Sequence, residues 1–97
     1  MEQIQQTVLE QINARYLKAI GFILVGIEGR DVKLIFKGKA MVISLNKGKD
    51  VYEVQKYSHK SLNAEIEKKH ELYCYQLADE IEQHFKIAYG GFKPQFG

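Results

Sequence analysis

Ninety-seven residues with 45% hydrophobic and 27% charged side chains describe one ordinary globular domain and exclude wholesale disorder. A chain of this size buries roughly 60–65% of its unfolded surface, enough for one core but not two. The net charge of +2 is too mild to name nucleic acid as the partner, and the single cysteine, Cys74, excludes an internal disulfide and points to a reducing, cytoplasmic setting. The N-terminus MEQIQQTVLEQ lacks the basic start and apolar run of a signal peptide. No segment approaches the roughly 18 consecutive apolar residues that a membrane span requires.

Residues 3–20 read as an amphipathic helix. Ile4, Val8, Ile12, Tyr16 and Ile20 recur every four residues, and Gly21 stands where a left-handed cap would end it. Four strands follow in expectation. The run 22–27 is nearly all apolar, and Gly26 marks a bulge there. Residues 32–37 alternate, with Val32, Leu34 and Phe36 on one side and Lys33, Ile35 and Lys37 on the other. Residues 40–45 and 51–57 alternate again, with Met41, Ile43 and Leu45, then Tyr52 and Val54, as the inward sets. The connections are short turns, so neighbouring strands run antiparallel. Residues 62–88 read as one long helix with an apolar stripe of Leu62, Ile66, Tyr73, Leu77, Ile81 and Phe85, ended by Gly90 and Gly91.

The expected fold is therefore α+β: an N-terminal helix, a four-stranded antiparallel meander and a long C-terminal helix, with both helices on one sheet face. Residues 1–91 form the domain and 92–97 a short aromatic tail. The second sheet face would carry Lys33, Ile35, Lys37, Val42 and Tyr57 among other residues, neither cleanly polar nor cleanly apolar. Faces of that kind are often covered by something else.

Candidate chemistry is sparse. His70-Glu-Leu-Tyr-Cys74 resembles the HExxH arrangement of zinc proteases, with Cys in place of the second His. On a helix the two would share a face. The competing reading makes Cys74 a buried small residue and His70 a boundary residue, and no metal or cofactor is assigned. Glu53-Val-Gln-Lys56, with Asp31 or Asp50, resembles the acid and lysine set of PD-(D/E)xK nucleases, which hold Mg²⁺ against a phosphate. The spacing sends Glu53 and Lys56 to opposite strand faces, against that reading.

Lysines flank the turns at Lys37, Lys39, Lys47 and Lys49 and surround the expected start of the second helix at Lys56, Lys60, Lys68 and Lys69. The element order is similar to that of double-stranded RNA-binding domains, which grip phosphates with lysines at that helix start. Glu65, Glu67 and Glu71 interrupt the positive field. Tyr73, Tyr75, Tyr89, Phe92 and Phe96 gather in the C-terminal third, where exposed aromatics serve as contact anchors.

No phosphate loop and no nucleophile elbow is present. The leading expectation is a non-catalytic binding or assembly module that contacts a protein partner or a second copy. It would use Lys33, Ile35, Lys37, Val42 and Tyr57 on the second face or Phe92 and Phe96 in the tail. The alternative is an accessory protein that binds nucleic acid through Lys56, Lys60 and Lys68. A metal-dependent nuclease is the remaining one.

Overall fold

The structure is a computed structural model that describes residues 3–46, 48–58 and 61–95; of residues 61–66 it describes the backbone. The elements are α1 (Gln3–Gln11), α2 (Ala14–Ala19), β1 (Ile23–Ile27), β2 (Asp31–Phe36), β3 (Lys39–Asn46), β4 (Val51–Ser58), β5 (Ser61–Leu72) and α3 (Cys74–Phe85), then a single 3-10 turn at Gly90–Phe92. Among the described residues no helix is long and apolar enough to cross a membrane.

The expected first helix is broken into two. Asn13 adopts a left-handed conformation (φ 51) between α1 and α2, and its side-chain oxygen accepts the Tyr16 N–H. Asparagine tolerates this conformation better than most residues, which lets the chain turn without a glycine. The end of α2 matches expectation: Gly21 has φ +113, and the Phe22 N–H returns to the Leu17 carbonyl at 2.9 Å.

The sheet has five antiparallel strands in the order β1-β2-β3-β4-β5, one more than the sequence suggests. The first four lie where alternation puts them, within a residue at each end. Lys37 (φ 46) and Gly38 (φ 77) form the two-residue β2–β3 turn, whose left-handed pair matches the strand twist. Gly26 is paired in regular register with Val32, so it is not a bulge. Its missing side chain instead makes room for Gln5: a Cβ there would stand 2.7 Å from the Gln5 amide nitrogen. That buried amide donates to the Asp31 carbonyl at 2.9 Å and ties α1 to β2.

The fifth strand replaces the first half of the expected long helix. Residues 61–72 run antiparallel to β4, with register shifts near Tyr52 and Val54 and again around Tyr57. The helix that remains, α3, spans 12 residues. Gln76 reaches back to accept the Tyr73 N–H at 2.8 Å, and a left-handed Lys86 (φ 56) closes the helix.

All three helices cover one face of the sheet. Val8, Ile12, Leu17, Leu77, Ile81 and Phe85 share one core with Val32, Leu34, Met41, Ile43, Tyr52 and Val54. Phe22 stacks on Phe36 with centroids 4.3 Å apart and meets Phe85 edge-on. Tyr89, fully buried, donates its hydroxyl to the Ile12 carbonyl at 2.9 Å, which pins the C-terminal segment to the break between α1 and α2.

Candidate functional site

With the helices on one side, the other side of the sheet is left open among the described residues. Cross-strand register aligns its side chains in rows. One row runs Ile23, Ile35, Ala40, Tyr57. The next runs Val25, Lys33, Val42, Gln55, Lys68. The β1 half of this face is apolar and poorly covered: Ile23 is 59% exposed and Val25 42%. Ile35, Val42 and Tyr57 are half-buried.

The β4–β5 half is charged. Glu53 receives Lys68 at 3.0 Å and the His70 ring at 3.1 Å. At its turn end a shallow pocket of about 300 Å³ lies between Glu53, His70, Lys49 and Glu71. Its charged groups are already paired with one another, Lys49 with Glu71 at 3.5 Å and Glu53 with Lys68 and His70. Among the described residues no group of three His, Cys, Asp or Glu is placed to hold a metal ion.

Lys33, Ile35, Val42, Tyr57 and Lys68 thus share the open face. Lys37 does not belong to it. It sits in the β2–β3 turn with its ammonium 5.3 Å from the centre of the Phe36 ring, against the opposite face. Lys60 and Phe96 lie outside the described residues.

Lys56 faces inward, in phase with Tyr52 and Val54 as strand alternation puts it, so a charge stands among the core side chains. Its ammonium meets Glu80 at 2.6 Å and Glu67 at 2.7 Å, and Lys69 closes on the other Glu80 oxygen at 2.7 Å. Side chains of Lys56 and Glu80 are each only 9% exposed. Burial alone would pull the Lys56 ammonium down, but hydrogen bonds to Glu67 and Glu80 outweigh it and hold it above the usual lysine range. Burial likewise pushes the Glu80 carboxyl up, and the bonds from Lys56 and Lys69 reverse that. This cluster fastens β4, β5 and α3 together.

The lysine patch therefore does not assemble: Lys56 and Lys68 point to opposite faces, and residues 61–72 are strand where the patch needs a helix. His70 and Cys74 do not share a helix face either. His70 is on β5 facing Glu53, while Cys74 opens α3 against the core. Of the nuclease set, Glu53 is engaged by Lys68 and His70. Asp31 is on β2, with β3 between it and β4, a gap of roughly 10 Å between strand axes that two metal-bridging carboxylates do not span.

The tail folds onto the helices and not over the sheet. Phe92 stacks on Tyr16 with centroids 4.8 Å apart, and its carbonyl accepts the Asn13 amide at 2.8 Å. Lys93 pairs with Asp79 and Glu82. Phe92 remains 61% exposed on the rim of a groove with Leu9, Arg15, Lys18 and Pro94.

The two most exposed apolar residues of the open face, Ile23 and Val25, carried a sequence signal. They belong to the one strand that is apolar throughout and has no alternation, so no face could be assigned to them until pairing was known. No protein family model, no curated protein and no solved structure matches this chain.

Proposed function

We propose that this chain is a non-catalytic binding module that takes a protein partner on the open face of its sheet. One observation carries the reading: Ile23, Val25, Ile35, Val42 and Tyr57 share the sheet face that no helix among the described residues covers. Apolar side chains aligned on a sheet gain about 25 cal/mol for each Å² removed from water, and a partner surface is one way to remove it. The charged half, with Glu53, Lys68 and His70, supplies the polar margin that fixes orientation.

The test is affinity capture from the native host with two baits, the wild type and Val42→Glu. Val42 is half-buried in the middle of the face, and a carboxylate there penalises any apolar partner while leaving the core behind the sheet intact. Proteins held by the wild type and lost with the variant support the reading. Identical captures from a variant with unchanged circular dichroism refute it.

A further inference from the structure

The two edges of the sheet differ in kind. β5, one edge, carries Glu65, Glu67, Lys68, Lys69, His70 and Glu71, the dense charge that prevents an edge from pairing with another chain. The other edge is β1, Ile-Leu-Val-Gly-Ile, which pairs with β2 alone. It has no charge, no proline and no bulge, and its pairing with β2 is regular over all five residues. An unprotected apolar edge is a template for a further strand.

We infer that β1 pairs with β1 of a second copy, antiparallel and centred on Val25, to make one sheet across a two-fold axis. This rests on the proposal that the open face is a contact surface: pairing through β1 joins the open faces of two copies into one larger surface, with a second copy as the partner at the edge.

The register follows from three constraints. A two-fold axis perpendicular to the sheet relates antiparallel strands and keeps both helix layers on the same side. Side-chain alternation then requires Ile23, Val25 and Ile27 to meet their own kind on the open face. Centring on Val25 uses the whole strand: Val25 meets Val25, and Ile23 of each copy meets Ile27 of the other. Two exposed apolar sets become one continuous strip of cross-strand pairs.

Charge supports the same register. Glu28 directly follows β1 and is exposed; Lys18 is the basic residue in the last turn of α2, just before β1, and is also exposed. Neither forms an ion pair with a described residue. Centring on Val25 places Glu28 of one copy opposite Phe22 of the other, at the α2–β1 junction, and Lys18, four residues before Phe22, is the basic residue nearest to it in sequence; the inference includes two symmetric Glu28–Lys18 attractions. The contact is narrower than the ~800 Å² per partner of a standard interface. The dimer is therefore weak and dependent on concentration.

Sedimentation equilibrium up to about 1 mM protein, a ceiling that still detects an association worth ~4 kcal/mol, is the first measurement. Reversible monomer–dimer exchange is expected. Val25→Lys places an ammonium beside its own copy on the axis and should weaken association at least tenfold. Glu28→Lys or Lys18→Glu alone should weaken it roughly three- to tenfold, and the double swap should restore it, because exposed pairs contribute modestly but reciprocally.

Val25→Cys in a Cys74→Ser background tests the register directly. Paired positions across antiparallel strands lie about 4.5–5.5 Å apart, within disulfide reach. It should cross-link on mild oxidation. Ile35→Cys in the same background should not, since its two copies are more than ~14 Å apart.

A strict monomer to ~1 mM with no Val25→Cys cross-link overturns the inference and leaves the open-face reading to the capture experiment. A dimer abolished by Val42→Glu but indifferent to Val25→Lys also overturns it, while supporting that reading. Circular dichroism of each variant separates lost association from lost fold.

Discussion

Removing the Glu80 carboxylate tests whether the inward charge cluster holds the fifth strand to the third helix. Glu80→Ala leaves the Lys56 ammonium, 9% exposed, with Glu67 as its remaining acidic partner and deprives Lys69 of its own. Breaking a buried ion pair by deleting one partner costs about 3–5 kcal/mol, because the surviving charge stays desolvated. Glu67 still answers Lys56 at 2.7 Å, so the cost sits at the low end of that range or just below it, about 2–3 kcal/mol. For a chain of this size each kcal/mol moves the midpoint by about 4–8 °C, so Tm should fall by roughly 10–25 °C. Urea denaturation gives the free energy directly.

The double variant Lys56→Met with Glu80→Leu should recover most of the loss, since apolar replacements of similar volume are often neutral or stabilising. Amide exchange should show β5 opening before β2 and β3 in Glu80→Ala. A loss below about 1 kcal/mol, or equal protection across the strands, would refute the clasp. The pH dependence has a defined sign. The Glu80 carboxyl is held below its usual range, so its contribution is present above the unfolded value near 4.3 and fades as pH falls through the lower folded value. Lys56 is held above its usual range, so its contribution is present below about 10.4 and fades as pH rises through the higher folded value.

Three further outcomes follow from single contacts. Tyr89→Phe removes the buried hydroxyl that meets the Ile12 carbonyl at 2.9 Å and should cost about 1–2 kcal/mol in chemical denaturation, chiefly from the unsatisfied carbonyl. Gly26→Ala sets a Cβ 2.7 Å from the Gln5 amide and should cost about 1 kcal/mol by displacing its bond to Asp31; in a Gln5→Ala background the same change should cost clearly less. His84, whose ring stands 3.0 Å from the Ala40 carbonyl, is held below the usual histidine range by burial, partly offset by that hydrogen bond. Its contribution is therefore present above about 6.5 and lost as pH falls through the lower folded value, and His84→Gln should flatten Tm between pH 5 and 7.

Where side-chain alternation was strong, the strands were legible without a structure. Val32, Leu34 and Phe36, then Met41, Ile43 and Leu45, then Tyr52 and Val54 mark one face so clearly that only one register buries them all. Lys33, Ile35, Val42 and Tyr57 fall on the opposite face by the same arithmetic, and most of the candidate surface was readable in this way. Lys37 escaped because a left-handed turn residue no longer follows strand alternation. The break at Asn13 escaped because Ile12 and Tyr16 keep helical spacing through it.

Residues 61–72 show what only the tertiary structure decided. Leu62 and Ile66 fit a helix continuing to Tyr73 and Leu77, yet Leu62, Ala64 and Ile66 also alternate as a strand does. Glutamate, lysine, alanine and leucine favour the helix by a few tenths of a kcal/mol each. Against them stand the unpaired edge of β4 and the inward-facing Lys56, which needs an acid beside it. Pairing as a strand brings Glu67 and Lys69 to that cluster, where Glu80 arrives from α3. Local pattern thus determined the first four strands and the face they leave open, because each buries its own apolar set. The fifth strand is decided by a charge and a row of backbone groups on a neighbouring strand. Its presence turns one sheet edge into a charged barrier and leaves β1 as the bare one.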